Sequence, residues 1–125
     1  MKHSPEFLKL VAEAQTRVRE IRVDQARNWL KDHPNAMLVD VREESEWKSG
    51  HAEDAVHLGK GIFERDIEAR CPNPQTPLLL YCGGGFRSIL TCDAAQKMGY
   101  GNIFSLAGGF KAMKEAGWPL QSDGQ

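Results

Sequence analysis

Cys82 opens the run Cys82-Gly83-Gly84-Gly85-Phe86-Arg87-Ser88, in which a sulfur nucleophile, three glycines and a permanent cation lie within seven residues. Glycines let the backbone curl so that successive N–H groups point inward and form an anion-binding concavity. A helix starting just after the loop adds the positive end of its dipole. For a cysteine the anion such a cradle favours is the thiolate, which is the nucleophilic form. Arg87 brings a planar fork of donors suited to an incoming oxyanion. A plain turn needs one or two glycines and no flanking arginine, so Cys82 is assigned as the nucleophile and Gly83, Gly84, Gly85, Phe86, Arg87 and Ser88 as the substrate-binding loop.

Cys82 must be delivered by a strand and followed by a helix. Leu78-Leu79-Leu80-Tyr81 is a short apolar run and reads as the strand, and Ile89, Leu90, Cys92, Ala94, Ala95 and Met98 give a helix ended by Gly99. Upstream, Ser4 and Pro5 predict the start of an amphipathic helix carrying Phe7, Leu8, Val11, Ala14 and Val18. Packing on its own domain is its expected role, with capping or a dimer contact as alternatives. Ile21–Val23 reads as an edge strand and Asp24 as the cap of the next helix, which His33-Pro34 ends. Ala36–Val41 is apolar almost throughout, which suits a parallel strand covered on both faces. A brief helix over 43–48 stops at Gly50; 56–58 is a small strand and 62–69 a helix. Cys71–Pro77 is a proline-rich loop that leaves Cys71 open to exposure. Asn102–Ser105 is the last strand, and Gly108-Gly109 turns into a closing helix that stops at Gly117-Trp118-Pro119.

Strands alternating with helices predict an α/β fold with a central, mostly parallel sheet and helices on both faces. In such sheets sites gather at the carboxyl ends of strands, which brings Asp40, Cys82 and Ser105 toward one cleft. The 125 residues suit one domain, with 41% hydrophobic and 26% charged residues. We divide the chain into a helical extension at 1–19, the domain at 20–120 and a polar, frayed tail at 121–125. No apolar run approaches the ~20 residues needed to cross a bilayer, and a formal net charge of −1 offers no field for nucleic acid. Neither a membrane nor a nucleic acid is therefore expected as partner. Residues 1–20 lack an apolar h-region and read as no secretory signal, which places the chain in the cytoplasm. Three cysteines without a C-x-x-C pair argue against a disulfide framework and a metal cluster, so no metal or other cofactor is expected.

The sequence resembles the rhodanese (sulfurtransferase) family. The residues that carry the likeness are Asp40-Val41-Arg42-Glu43, Glu46-Trp47, Gly50-His51-Ala52, Tyr81-Cys82 with the loop closed by Arg87-Ser88, Leu106-Ala107-Gly108-Gly109-Phe110, and Gly117-Trp118-Pro119. They span about residues 20–120. The resemblance implies a five-stranded sheet wrapped by helices. It also implies a cysteine that takes sulfane sulfur from a thiosulfate-type donor as a persulfide and passes it to cyanide, a thiol or a protein acceptor. Asp40 would support the active loop, and Arg42 would tie into the neighbouring helix through Glu43 or Glu46. Related phosphatases and arsenate reductases on this fold carry a C-x5-R loop, whereas Cys82 to Arg87 is C-x4-R, a ring sized for one sulfur atom. Phosphatase or arsenate reductase chemistry is therefore the lesser alternative, beside a redox or interaction module without turnover.

Other residues have plainer expected roles. His51 reads as a hydrogen-bonded turn residue, while His57, Lys60 and Arg65 are placed at the cleft entrance. Trp47 and Trp118 are assigned to the core. Cys92 is expected to pack, and Cys71 to receive sulfur only if it lies near Cys82.

Overall fold

A computed structural model describes residues 3–122. Strands β1 (Arg19–Arg22), β2 (Met37–Asp40), β4 (Val56–His57), β5 (Leu78–Tyr81) and β6 (Ile103–Ala107) form one sheet in the order β1-β6-β5-β2-β4. Every pairing in it is parallel. A second, antiparallel pair joins β3 (His51–Ala52) to β7 (Leu120–Gln121). The helices are α1 (Pro5–Gln15), α2 (Val23–Asp32), α3 (Glu44–Ser49), α4 (Lys60–Arg70), α5 (Arg87–Lys97) and α6 (Gly109–Glu115).

β5 holds the centre because it is apolar on both faces. Leu78, Leu79, Leu80 and Tyr81 are all fully buried, and each leucine contributes about 2 kcal/mol by leaving water. Side chains alternate across a strand. Leu78, Leu80 and Cys82 thus join the core formed with α1, α4 and α5, while Leu79 and Tyr81 join the opposite core with α2 and α6. This alternation aims Cys82 toward α5.

α1 belongs to the same core as the sheet. Val11 and Ala14 are buried among residues that include Ile89, Cys92 and Ala95 of α5. Arg17 reinforces the contact, donating from Nε and Nη2 to the two carboxylate oxygens of Asp93 at 2.9 and 2.8 Å and pairing with Glu13 as well. Asp93 is held below the usual carboxylate range by that guanidinium.

Several boundaries move from their sequence expectation. β1 starts at Arg19 and ends at Arg22, because its ladder with β6 runs from Arg19–Phe104 to Arg22–Ala107. The same ladder extends β6 to Ala107. Arg22, not Asp24, is the N-cap of α2, and Asp24 sits in the first turn. α4 begins at Lys60, after Gly59. β3 and β7 have two residues each, too few to leave a periodic signal. Gln121 pairs with His51 through β7, and the Ser122 hydroxyl donates to the Lys48 carbonyl at 3.0 Å, so the start of the expected frayed tail is tied down. Residues 123–125 lie outside the described residues.

Candidate active site

Cys82 leaves β5 at the carboxyl edge of the sheet and is buried, with 1% of its surface exposed. Its Sγ accepts hydrogen bonds from the backbone N–H of Gly85 at 3.2 Å and of Ser88 at 3.3 Å, and the Ser88 hydroxyl lies 3.5 Å away. Ser88 Oγ is in turn 2.7 Å from Ser105 Oγ on β6. The sulfur sits over the first turn of α5, where backbone donors and the helix dipole favour negative charge.

The loop is held in this shape from outside. The N–H groups of Phe110 and Lys111, in the first turn of α6, donate to the carbonyls of Cys82 and Gly83 at 2.7 and 3.1 Å. These two carbonyls are thereby turned toward α6. The approach is so close that a Cβ on Gly109, whose φ is +57°, would stand 2.4 Å from the Cys82 oxygen. Gly85 has φ +100°, and a Cβ there would meet the Gly108 nitrogen at 3.0 Å. Only glycine fits either position without strain.

Arg87 points into the cleft mouth but is already engaged. Its Nη1 and Nη2 donate to Glu46 Oε2 and Oε1 at 2.8 and 3.1 Å, a bidentate pair. α3 aims that carboxylate: in its capping box the Glu46 side chain accepts from the Glu43 N–H at 3.0 Å. The Arg87 guanidinium holds the Glu46 carboxyl below its ordinary range, against an opposing effect of burial. A lowered carboxyl stabilises the fold above its unfolded value of 4.5, and that contribution is lost as pH falls through the lower folded value. The pair is about one-third exposed, so its contribution is small, under about 1 kcal/mol. The melting temperature of wild type should exceed that of Glu46→Gln by a constant amount above pH 4.5 and converge on it in stronger acid.

Asp40 and Arg42 form a separate, buried unit beside the site. Arg42 donates from its backbone N–H, Nε and Nη2 to Asp40 at 2.8 to 3.1 Å, and from Nη2 to the Gly50 carbonyl at 2.6 Å. Its guanidinium carbon lies 4.1 Å from the centre of the Phe110 ring. The partners expected for Arg42, Glu43 and Glu46, are engaged elsewhere: Glu46 turns to Arg87, because the α3 cap orients it that way. Asp40 faces Tyr81 in register across the sheet, and burial followed by the Asp40 charge raises the Tyr81 hydroxyl pKa. The Tyr81 hydroxyl accepts from the Ala52 N–H at 3.0 Å. Asp40 and Arg42 thus reach the active loop through Tyr81 and Phe110.

A cleft of about 710 Å³ opens over Cys82. Phe86 and Arg87 line it with Glu43, the N-cap of α3, and Glu46 within that helix, and His3 and Phe7 complete the wall from the chain start and α1. The Phe86 ring is 5.0 Å from that of His3, edge-on, and 6.4 Å from that of Phe7. His57, Lys60 and Arg65 do not line it. His57 stacks on Trp47 and its Nε2 is 2.8 Å from the Arg42 carbonyl, Lys60 starts α4, and Arg65 pairs with Asp66. His51 is buried, with Nδ1 2.8 Å from the Trp47 carbonyl and its ring stacked on Trp47. Trp118 is buried and Trp47 half-buried. Cys71 is also buried rather than exposed, because its segment packs under Tyr100, whose hydroxyl donates to the Cys71 carbonyl at 2.7 Å. Burial pushes the Cys92 thiol up. Among the described residues no group of histidines, cysteines and carboxylates is placed to hold a metal ion, and no helix is long and apolar enough to cross a membrane.

The α1 wall and the Glu46–Arg87 pair were not legible in the sequence. Helical spacing marks Phe7 as apolar without saying what it covers, and the capping box Glu43–Glu46 signals only a helix start.

The family model for the rhodanese-like domain matches residues 22–116. Among curated proteins, a tRNA uridine(34) hydroxylase of Sodalis glossinidius is 26% identical over 106 residues, covering 78% of this chain and 30% of that one. A namesake from Yersinia enterocolitica is 26% identical over 113 residues, covering 84% and 32%. The chain spans about a third of the length of these relatives. Among solved structures, the polysulfide-sulfur transferase homodimer of Wolinella succinogenes superposes with a TM-score of 0.80 at 23% identity, covering 94% of this chain and 88% of that one. A Rhodopseudomonas palustris protein of unknown function, described as a possible tyrosine phosphatase, gives 0.78 at 25% identity, covering 97% and 98%. Thiosulfate sulfurtransferase of Pseudomonas aeruginosa gives 0.78 at 21%, covering 90% and 22%.

Proposed function

Because this chain belongs to the rhodanese-like domain family, we propose that it is a sulfurtransferase that carries sulfane sulfur on Cys82 from a thiosulfate-type donor to cyanide or a thiol. The observation that supports this reading is the pair of backbone donors, Gly85 N–H and Ser88 N–H, converging on a buried Sγ. In the first half-reaction the Cys82 thiolate attacks the outer sulfur of thiosulfate. A Cys82 S–S bond forms, the donor S–S bond breaks, and sulfite leaves with the electron pair. In the second, cyanide attacks the terminal sulfur, thiocyanate departs and the thiolate is restored; a thiolate acceptor leaves as a persulfide by the same displacement. Loop N–H groups of Gly83, Gly84 and Phe86 serve the terminal sulfur, and Arg87 steadies the leaving sulfite. Asp40 and Arg42 position the loop through Tyr81 and Phe110. A protein thiol is a further acceptor, and no cofactor enters.

Formation of thiocyanate from thiosulfate and cyanide, abolished by Cys82→Ser, tests the assignment; a rate equal to the uncatalysed one would overturn it. Arg87→Ala should leave persulfide formation possible and raise KM for thiosulfate about tenfold, the worth of ~1.4 kcal/mol for a charged contact. An unchanged KM would remove Arg87 from donor binding. Hydrolysis of p-nitrophenyl phosphate is expected to be absent, since the loop has the C-x4-R span; turnover of that substrate would favour the phosphatase chemistry.

A further inference from the structure

The cleft over Cys82 is acidic and aromatic at once. Among the described residues its charged lining consists of two carboxylates, Glu43 and Glu46, against one guanidinium, Arg87. That guanidinium is already paired: two of its five N–H donors, one on each Nη, go to Glu46, whose charge offsets its pull on a further anion. A thiolate at Cys82 adds a further negative charge below them. Opposite stand Phe86, Phe7 and the His3 ring, which present apolar surface to whatever enters. A cleft in which one sign of charge predominates discriminates by ligand charge. A dianion entering here meets two carboxylates, and Arg87, which offers it the remaining donors, is already charge-paired with Glu46. A small alkyl chain meets aromatic faces.

Resting on the assignment of Cys82 as the persulfide carrier, we propose that the cleft selects sulfur donors by the charge of their substituent, taking alkyl persulfides with an uncharged or cationic substituent in preference to thiosulfate and other donors with an anionic one. Glu46 is the specificity-determining residue. The step balances simply: the Cys82 thiolate attacks the outer sulfur of R–S–SH, a Cys82 S–S bond forms and the donor S–S bond breaks. The alkyl thiolate leaves with the electron pair and is protonated by solvent, and Cys82 holds the transferred sulfur and its hydrogen. No oxidant or reductant is required. Thiosulfate remains a donor, at higher concentration.

A charge series of similar size supplies the test: the persulfides of cysteamine (cationic substituent), 2-mercaptoethanol (uncharged substituent) and 3-mercaptopropionate (anionic substituent), with thiosulfate alongside. The rate of sulfur loading on Cys82 is followed by rapid quench and intact mass. The expected order is cationic, uncharged, anionic, with about tenfold or more between the ends at low salt, shrinking as salt is raised. Glu46→Gln, which keeps an oxygen to accept the Glu43 N–H, should speed loading from 3-mercaptopropionate persulfide and thiosulfate about tenfold and shift the uncharged donor by less than about threefold. Glu43→Gln, which leaves the Arg87 pair intact, should act in the same direction more weakly. Thiosulfate or the carboxylate persulfide loading fastest in wild type would overturn the proposal, as would an equal effect of Glu46→Gln on all donors. Loading by none of the donors would instead overturn the sulfurtransferase assignment, and this proposal with it.

Discussion

Cys82→Ser is expected to abolish thiocyanate formation, by at least about 10³-fold, while leaving the melting temperature within about 2 °C of wild type. The chemical half of this expectation rests on the nucleophile. A serine hydroxyl ionises far less readily than a thiol, and an alkoxide attacks sulfur poorly, so the loop would retain its shape without a group able to hold the transferred atom. The structural half rests on isosterism. Serine Oγ would occupy the same buried position and accept from the Gly85 and Ser88 N–H groups that now reach Sγ, so no buried donor is orphaned. No other cysteine can substitute. Cys92 is fully buried on α5 with its thiol pKa raised, and Cys71 is buried behind Asn73 and Tyr100. A variant with residual activity above about 1% of wild type would show that sulfur travels by another route.

Gly109→Ala is expected to be the most damaging alanine substitution among the described glycines. Its Cβ would lie 2.4 Å from the Cys82 oxygen and 2.8 Å from the carbonyl carbon and oxygen of Gly83, and φ at this position is +57°. Backbone cannot yield as a side-chain tip can, so α6 and the active loop must move apart. The hydrogen bonds from Phe110 N–H to Cys82 and from Lys111 N–H to Gly83 are then lost or lengthened. Left-handed backbone at a non-glycine residue and two weakened hydrogen bonds together cost about 2–4 kcal/mol. Urea unfolding should register that loss, and activity at a temperature where the variant is still folded should fall as well, because the carbonyls swing out of place. Gly117→Ala serves as the control: it also has positive φ, at +75°, but nothing lies within 4 Å of its added Cβ, so it should cost only about 1–2 kcal/mol of strain and leave activity intact. Equal activity losses in both variants would detach α6 from the site.

How far the sequence reaches depends on the range of the interaction. The β5 strand and its loop were readable because Leu78–Leu80 and the glycine run are local signals, and burial on both faces of a parallel strand leaves an unbroken apolar stretch. The central sheet followed from alternation of strands and helices. The β3–β7 pair did not, since His51 and Gln121 lie 70 residues apart and two-residue strands carry no pattern. Around Cys82 the same division holds. Ser88 and Arg87 are local to the loop, whereas the Glu46 carboxylate, 41 residues away, is set by the cap of α3 and its docking. The aromatic wall depends on how α1 lies on α5, which Val11, Ala14 and the Arg17–Asp93 pair decide in three dimensions. Asp40 combines the two: its ion pair with Arg42 is local, two residues along the chain, whereas its route through Tyr81 follows from the sheet register.

Sulfur transfer through Cys82 is tested by the intact mass of the protein after incubation with a sulfane-sulfur donor and removal of excess reagent. Wild type is expected to gain one sulfur atom, located at Cys82 by peptide mapping, discharged by cyanide and absent from Cys82→Ser. No gain with either thiosulfate or an alkyl persulfide, or a gain that persists in Cys82→Ser, would contradict it.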